Sequence, residues 1–125
     1  MTRQRQIIFS YLQKTEGYPT AEKVLIAVRK QLPNISLGTV YRTLEFLQAN
    51  GFIKKVDTGR ISHYSAKVEV CGHFICQDCD KVIALPQVQS KSLSAATKLH
   101  VSKIGQPRII QLNVFGHCHH CLPKK

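Results

Sequence analysis

The residues with the clearest chemistry lie in two short stretches. CGHFICQDCDK (71–81) holds Cys71, His73, Cys76 and Cys79, and GHCHHC (116–121) holds His117, Cys118, His119, His120 and Cys121. Cys76-Gln-Asp-Cys79 and Cys118-His-His-Cys121 share a spacing in which a knuckle turn aims both sulfurs at one ion. Two such pairs complete a tetrahedral four-sulfur shell with Zn–S distances of about 2.3 Å. Zinc is the natural occupant, one ion per chain. The pairs stand 38 residues apart, more than the usual ribbon gap, so the ion would staple two ends of one folded unit and add to its folding free energy. A closed shell of this kind leaves no open position for catalysis. Two separate dithiols are the alternative, and the matching spacings weigh against it.

The six histidines divide by context. His63 and His100 read as a surface and a structural residue, and His119 and His120 fall inside a knuckle, exposed or bonded to thiolates. His73, three residues before Cys76, and His117, immediately before Cys118, are held in place by the knuckles and could serve a second, functional metal site.

The elements that must position these groups come in two sets. Ile7, Ile8, Tyr11 and Leu12 fall on one face of a helix over roughly 2–14, broken by Glu16-Gly17-Tyr18-Pro19. Thr20 caps a second helix with Ala21, Val24, Leu25 and Val28 as its apolar stripe, ended by Pro33-Asn34. Ser36 caps a third, stopped at Gly51 after Asn50, with Leu37, Val40, Leu44 and Leu47 in one stripe and Arg42 opposite. Gly38, Thr39, Glu45 and Ala49 share that outer side. FIKKV (52–56) and RISHYS (60–65) flank an Asp57-Thr58-Gly59 turn as a hairpin bearing Lys54, Lys55 and Arg60. Three helices and a basic hairpin form a winged helix-turn-helix, whose third helix enters the major groove.

Beyond a hinge at 66–70, HFIC and KVIAL are strand-like around a knuckle. A helix from Pro86 to about His100 would present Val88, Ala96 and Leu99, and IIQLNVF (109–115) alternates as a strand. The expected fold is therefore α+β: a winged-helix domain over 1–65, then a small α/β domain over 71–125 stapled by the Cys76, Cys79, Cys118 and Cys121 zinc. About 55 residues make a meagre core without such help.

Composition narrows the partners. Lys and Arg number 18 against 7 Asp and Glu in 125 residues, a formal charge of +11 spread along the chain. An anionic partner follows, nucleic acid first. No stretch approaches the ~20 apolar residues of a membrane span, and MTRQRQII has no apolar segment of a secretory signal, so a cytoplasmic protein is expected. There, five cysteines suit metal or redox work better than disulfides, and the odd count leaves Cys71 over.

QRQIIFSYL, YPTAEKVLIAVRKQLPNISLGTVYRTLEFLQANGFIKKV, HFICQDCDKVIAL and FGHCHHC together resemble the bacterial ferric uptake regulator (Fur) family, over nearly the whole chain and in order. The resemblance implies a homodimeric metal- or peroxide-responsive transcription factor, in many members a repressor. Its winged helix binds operator DNA, its C-terminal domain dimerises, and a regulatory metal near the hinge sets the angle between them. By motif, Cys76, Cys79, Cys118 and Cys121 correspond to structural zinc ligands, and Tyr41 and Arg42 of TVYR to groove-contacting positions.

The sensing site departs from the family pattern. Tyr18 stands where GHPTAE would place a regulatory His, Ser65 and Ala84 stand near positions usually held by carboxylates, Cys71 replaces a His, and Lys91 appears where some members have Glu. His117 matches another ligand position. A hard Fe²⁺ or Mn²⁺ site needs oxygen ligands. The candidate regulatory set that remains, Cys71, His73 and His117 with Glu69 or His63 nearby, is softer. Three uses stay open for it: a zinc or copper site, an oxidisable thiol at Cys71, or a sensor that has degenerated.

The expected function is a dimeric, sequence-specific DNA-binding regulator, not an enzyme, reading a palindromic duplex operator. Tyr41 and Arg42 are expected at base edges with Thr39 on the same DNA-binding side, and Arg3, Arg5, Lys14, Lys54, Lys55 and Arg60 are the candidate phosphate contacts. A zinc-stabilised nucleic-acid-binding adaptor shares the charge without explaining the third helix. A thiol oxidoreductase would need a Cys-x-x-Cys at a helix N-terminus, which neither pair offers.

Overall fold

Each of the three helices begins on a hydroxyl side chain. In a computed structural model, which describes residues 1–89, 91, 93, 101–107 and 109–122, Thr2, Thr20 and Ser36 lie in extended backbone and accept the amide N–H of Arg5, Lys23 and Thr39. Each such cap satisfies an amide that the helix leaves unbonded and contributes about 1 kcal/mol. The helices that follow are α1 (Arg3–Lys14), α2 (Ala21–Val28) and α3 (Leu37–Ala49).

α3 closes as the sequence indicates. Gly51 takes the left-handed conformation (φ 77°), the Phe52 amide donates to the Leu47 carbonyl at 2.9 Å and Gly51 to Gln48 at 3.1 Å, a pattern that favours glycine. α2 is shorter than expected: it ends at Val28 rather than at Pro33. Gln31 and Leu32 both donate to the Val28 carbonyl, a tight turn that drops Leu32 into the core. The Arg29 guanidinium spans the turn, donating through Nε and Nη2 to the Ile35 carbonyl at 3.3 and 3.1 Å.

The apolar stripes meet in one core: Ile8 and Leu12 of α1, Val24 and Val28 of α2, and Val40, Leu44 and Leu47 of α3, with Ile53 and Tyr64 beside them. Strands β1 (Lys54–Asp57) and β2 (Ser62–Ser65) pair antiparallel. Their turn is held by Asp57, whose Oδ1 accepts the Gly59 amide at 2.8 Å, with Gly59 at φ 95°. The Tyr64 amide donates to Pro19, fastening the hairpin to the loop before α2.

The chain divides into two compact units, Met1–Val68 and Glu69–Lys125. The second holds β3 (Val70–Cys76), β4 (Val82–Gln89) and β5 (Leu112–Gly116) in the order β4-β3-β5. β4 runs antiparallel to β3, and β5 runs parallel to it. Central β3 is buried along almost its whole length, which suits an apolar run flanked on both sides.

Pro86 does not start a helix, contrary to the sequence expectation. It lies within β4, whose pairing with β3 runs on to Gln89 opposite Val70. β4 is an edge strand, where the missing proline N–H is tolerated. Val88 instead packs on Gly72, where an added Cβ would lie 2.5 Å from the Val88 Cβ. Ala96, Leu99 and His100 of the expected helix lie outside the described residues.

Candidate metal centre and nucleic-acid interface

Parallel pairing of β3 with β5 brings the two Cys-x-x-Cys knuckles together. The register sets Cys76 opposite Gly116, and the Gln77 amide extends the ladder by donating to the Gly116 carbonyl at 2.8 Å. Both strands therefore end side by side, each leading into its knuckle. The first knuckle closes through the Asp80 amide on the Cys76 carbonyl, with Asp80 at φ 60°. The second closes through the Cys121 and Leu122 amides on the Cys118 carbonyl.

As a result the sulfurs of Cys76, Cys79, Cys118 and Cys121 all lie within 4.8 Å of one another. Their protons are unequally held. Hydrogen bonds from the backbone of Cys118 and then Cys79 lower the Cys76 pKa to about 6 against the opposing effect of burial. Hydrogen bonding with the Cys118 side chain, then burial, pushes Cys121 up to about 12. Sulfurs this close titrate as a set, because several thiolates repel one another unless a cation compensates them. Four sulfur donors in a closed arrangement, with Cys76 and Cys121 buried and Cys79 at the surface, fit a tetrahedral structural zinc and offer no oxygen for a harder ion.

The other candidate ligands are placed differently. His73 is fully buried (0 % exposed) with Nδ1 3.0 Å from Asn113 Oδ1 on β5. Cys71 is buried, its thiol 3.7 Å from the Glu69 carbonyl. His117 points its Nδ1 at Asp78 Oδ2, 2.7 Å away, so the residue before the third cysteine is joined to a residue between the first two. Among the described residues the four cysteines are the one group of three or more ligating side chains. Cys71, His73 and His117 are not gathered into a second. His63 bonds the Tyr18 carbonyl through Nδ1 at 2.7 Å. Nothing local in the sequence marks Asp78 or Asn113, since their partners lie 39 and 40 residues away and are found only through the β3–β5 register.

In the first unit, α3 turns Arg42 and Tyr41 outward. Arg42 Nη2 donates to Thr39 Oγ1 at 3.1 Å, and Thr39 in turn accepts from Ser36 Oγ at 3.0 Å, so the cap of the helix also steadies its guanidinium. Tyr41 is 41 % exposed rather than packed into the core. Its hydroxyl donates to Glu22 Oε1 at 3.1 Å. Burial first, then the Glu22 hydrogen bond and charge, raise its pKa above the usual phenol value. Tyr41 and Glu22 border a cleft of about 360 Å³ that Thr20, Asp57, Arg60 and Ser62 also line.

The expected phosphate contacts separate by face. Lys55 and Arg60 are exposed. The Arg5 guanidinium stacks 3.7 Å from the centre of the Phe46 ring, a cation–π contact that fixes its position on α1. Lys54 is not on the exposed face expected of it: it is only 5 % exposed, with its ammonium 5.4 Å from the Tyr18 ring centre. Strand alternation turns Lys54 inward with Val56 and leaves Lys55 outside.

Known proteins share this architecture. Residues 1–107 match the model of the ferric uptake regulator family. The peroxide-responsive repressor PerR of Staphylococcus aureus is 26% identical over 125 residues, covering 99% of this chain and 83% of its own length. The Helicobacter pylori ferric uptake regulator Fur, described as having three functional metal binding sites, superposes with a TM-score of 0.76 at 23% identity, covering 98% of this chain and 81% of that one. A zinc uptake regulator complexed with zinc and DNA does so at 0.68 and 23%, covering 98% and 83%. The chain belongs to the ferric uptake regulator family of metal-responsive transcriptional regulators.

Proposed function

We propose that this protein is a dimeric repressor that binds a palindromic DNA operator, with its first unit as the DNA-binding domain and its second as a zinc-stapled dimerisation domain. The observation that carries this reading is the outer face of α3, where Arg42, anchored by Thr39, stands beside the exposed Tyr41. Guanidinium donors suit the O6 and N7 acceptors of guanine in the major groove. Lys55 and Arg60 of the hairpin, on a chain of net charge +11, supply sequence-independent attraction to phosphate. Self-association is supported by exposed Ile83, Leu112 and Val114, which the register places on one face of the second unit's sheet, an apolar surface that favours a partner.

Cys76, Cys79, Cys118 and Cys121 would hold the zinc, which cross-links the ends of β3 and β5 and stabilises the unit. No helix among the described residues is long and apolar enough to cross a membrane, in keeping with a cytoplasmic role. Sequence selection from a random duplex pool tests this function. A palindrome whose conserved guanine is lost with Arg42→Ala supports it, and the absence of any enriched site sinks it.

A regulator without a sensing metal is favoured by one observation, the engagement of buried His73 with Asn113. Metal analysis beside a Cys71→Ser, His73→Ala variant decides the matter. A second equivalent lost only in the variant establishes sensing by these residues, whereas one equivalent in both, with equal DNA binding, establishes its absence.

A further inference from the structure

We infer that Glu22 sets the hydrogen-bonding polarity of Tyr41, so that the Tyr41 hydroxyl reads an exocyclic amino group, adenine N6 or cytosine N4, in the major groove. This rests on the proposed role of α3 as the helix that reads DNA. A phenol has one hydrogen to give and two lone pairs to receive. Here the hydrogen is committed to Glu22 Oε1 at 3.1 Å, and the carboxylate has no proton to return. What Tyr41 offers outward is its oxygen as acceptor, next to a carboxylate that also only accepts.

The commitment is built into the fold. Glu22 lies in the first turn of α2 and Tyr41 near the start of α3. Both helices are fixed by the same core, through Val24 and Val28 on one side and Val40 and Leu44 on the other. A carboxylate in the first turn is also favoured by the helix dipole, which helps keep Glu22 in place. An exposed tyrosine ordinarily donates to phosphate oxygens. Tyr41 cannot, because its proton is taken and the adjoining carboxylate repels the backbone.

A polarity rule for the half-site follows. Arg42 carries donors and no acceptor, so it fits an acceptor edge such as guanine. The Tyr41–Glu22 pair is the complement and fits a donor edge. Every base pair has one amino group in the major groove, but its lateral position reverses when the pair is flipped. The pair facing Tyr41 should therefore be selected by orientation.

The test uses the full-length protein. Sequence selection with wild type and Tyr41→Phe first locates the pair whose preference depends on the hydroxyl. At that pair, adenine is replaced by 2′-deoxynebularine, which lacks only the 6-amino group, or cytosine by its 4-deamino analogue. Wild-type affinity should fall about tenfold, whereas Tyr41→Phe and Glu22→Gln should be insensitive. Glu22→Gln should also relax the preferred orientation, since its amide can donate to the phenol oxygen and free the proton. The same analogue at an uncontacted pair gives the baseline, and melting temperature confirms that the variants fold. Unchanged wild-type binding to the analogue overturns the inference, as does a Glu22→Gln protein that retains wild-type sensitivity or that weakens on all sequences alike. If neither Tyr41→Phe nor Arg42→Ala alters any base preference, the role of α3 itself fails, and the inference with it.

Discussion

His117 Nδ1 lies 2.7 Å from Asp78 Oδ2, a clasp between two knuckles whose cysteines are separated by 38 residues. His117 is not one of the four clustered ligands. Its contact with Asp78 ties one pair of sulfurs to the other. Partners of this outer kind commonly change metal affinity by about 10- to 100-fold. Asp78→Ala and His117→Ala should each retain one zinc per chain and release it to a competing chelator on the order of tenfold more readily. The double variant should add little, because either change alone opens the clasp. Loss of a whole equivalent in His117→Ala would make it a ligand instead.

Zinc removal should act on one unit far more than on the other. The core of the first unit contains no cysteine and is closed by Ile8, Val24, Val40 and Leu44, whereas the sheet of the second ends in the four thiols. Amide hydrogen exchange of the full-length chain, with and without chelator, should show protection lost across β3, β4 and β5 and kept across α1, α2 and α3. Uniform loss would mean that the two units fold as one.

Gly72 is required by its neighbour. A Cβ there would meet the Val88 Cβ at 2.5 Å, closer than atoms pack, so Gly72→Ala should destabilise by about 1–3 kcal/mol through overpacking. Adding Val88→Gly removes the obstructing Cβ together with both methyls and should lessen the penalty of the Gly72 change. Chemical denaturation of the four proteins in the cycle measures the coupling. Additive effects would show that the strands move apart without resistance.

The helices were legible because their signals are local: Thr2, Thr20 and Ser36 each cap the helix that follows, and Gly51 stops the third. The four-sulfur cluster was legible from spacing alone. Its neighbours Asp78 and Asn113 were not, because the parallel register of β3 and β5 depends on a crossover that no local pattern encodes. The strand character of 86–89 was hidden by Pro86, which reads as a break unless β4 is known to be an edge. Lys54 is a different case. Val56 points into the core, and the two-residue period of a strand puts Lys54 on the same side, a constraint that counting basic residues overlooks.

Lys54 and Lys55 thus offer a contrast within one dipeptide. Lys55 is exposed on β1 while Lys54 is buried near Tyr18. If the hairpin contacts phosphate, Lys55→Ala should weaken binding to all sequences alike and reduce the slope of log affinity against log salt by about one. Lys54→Ala should leave that slope unchanged and lower the melting temperature instead, because the aliphatic stem fills space beneath the hairpin. Arg42→Ala completes the series by relaxing the preference at one base pair, with discrimination there falling by about 1–3 kcal/mol. Salt titrations on specific and random duplexes separate the three behaviours. A Lys54→Ala slope that matches Lys55→Ala would place Lys54 at the DNA after all and would require β1 to turn over on binding.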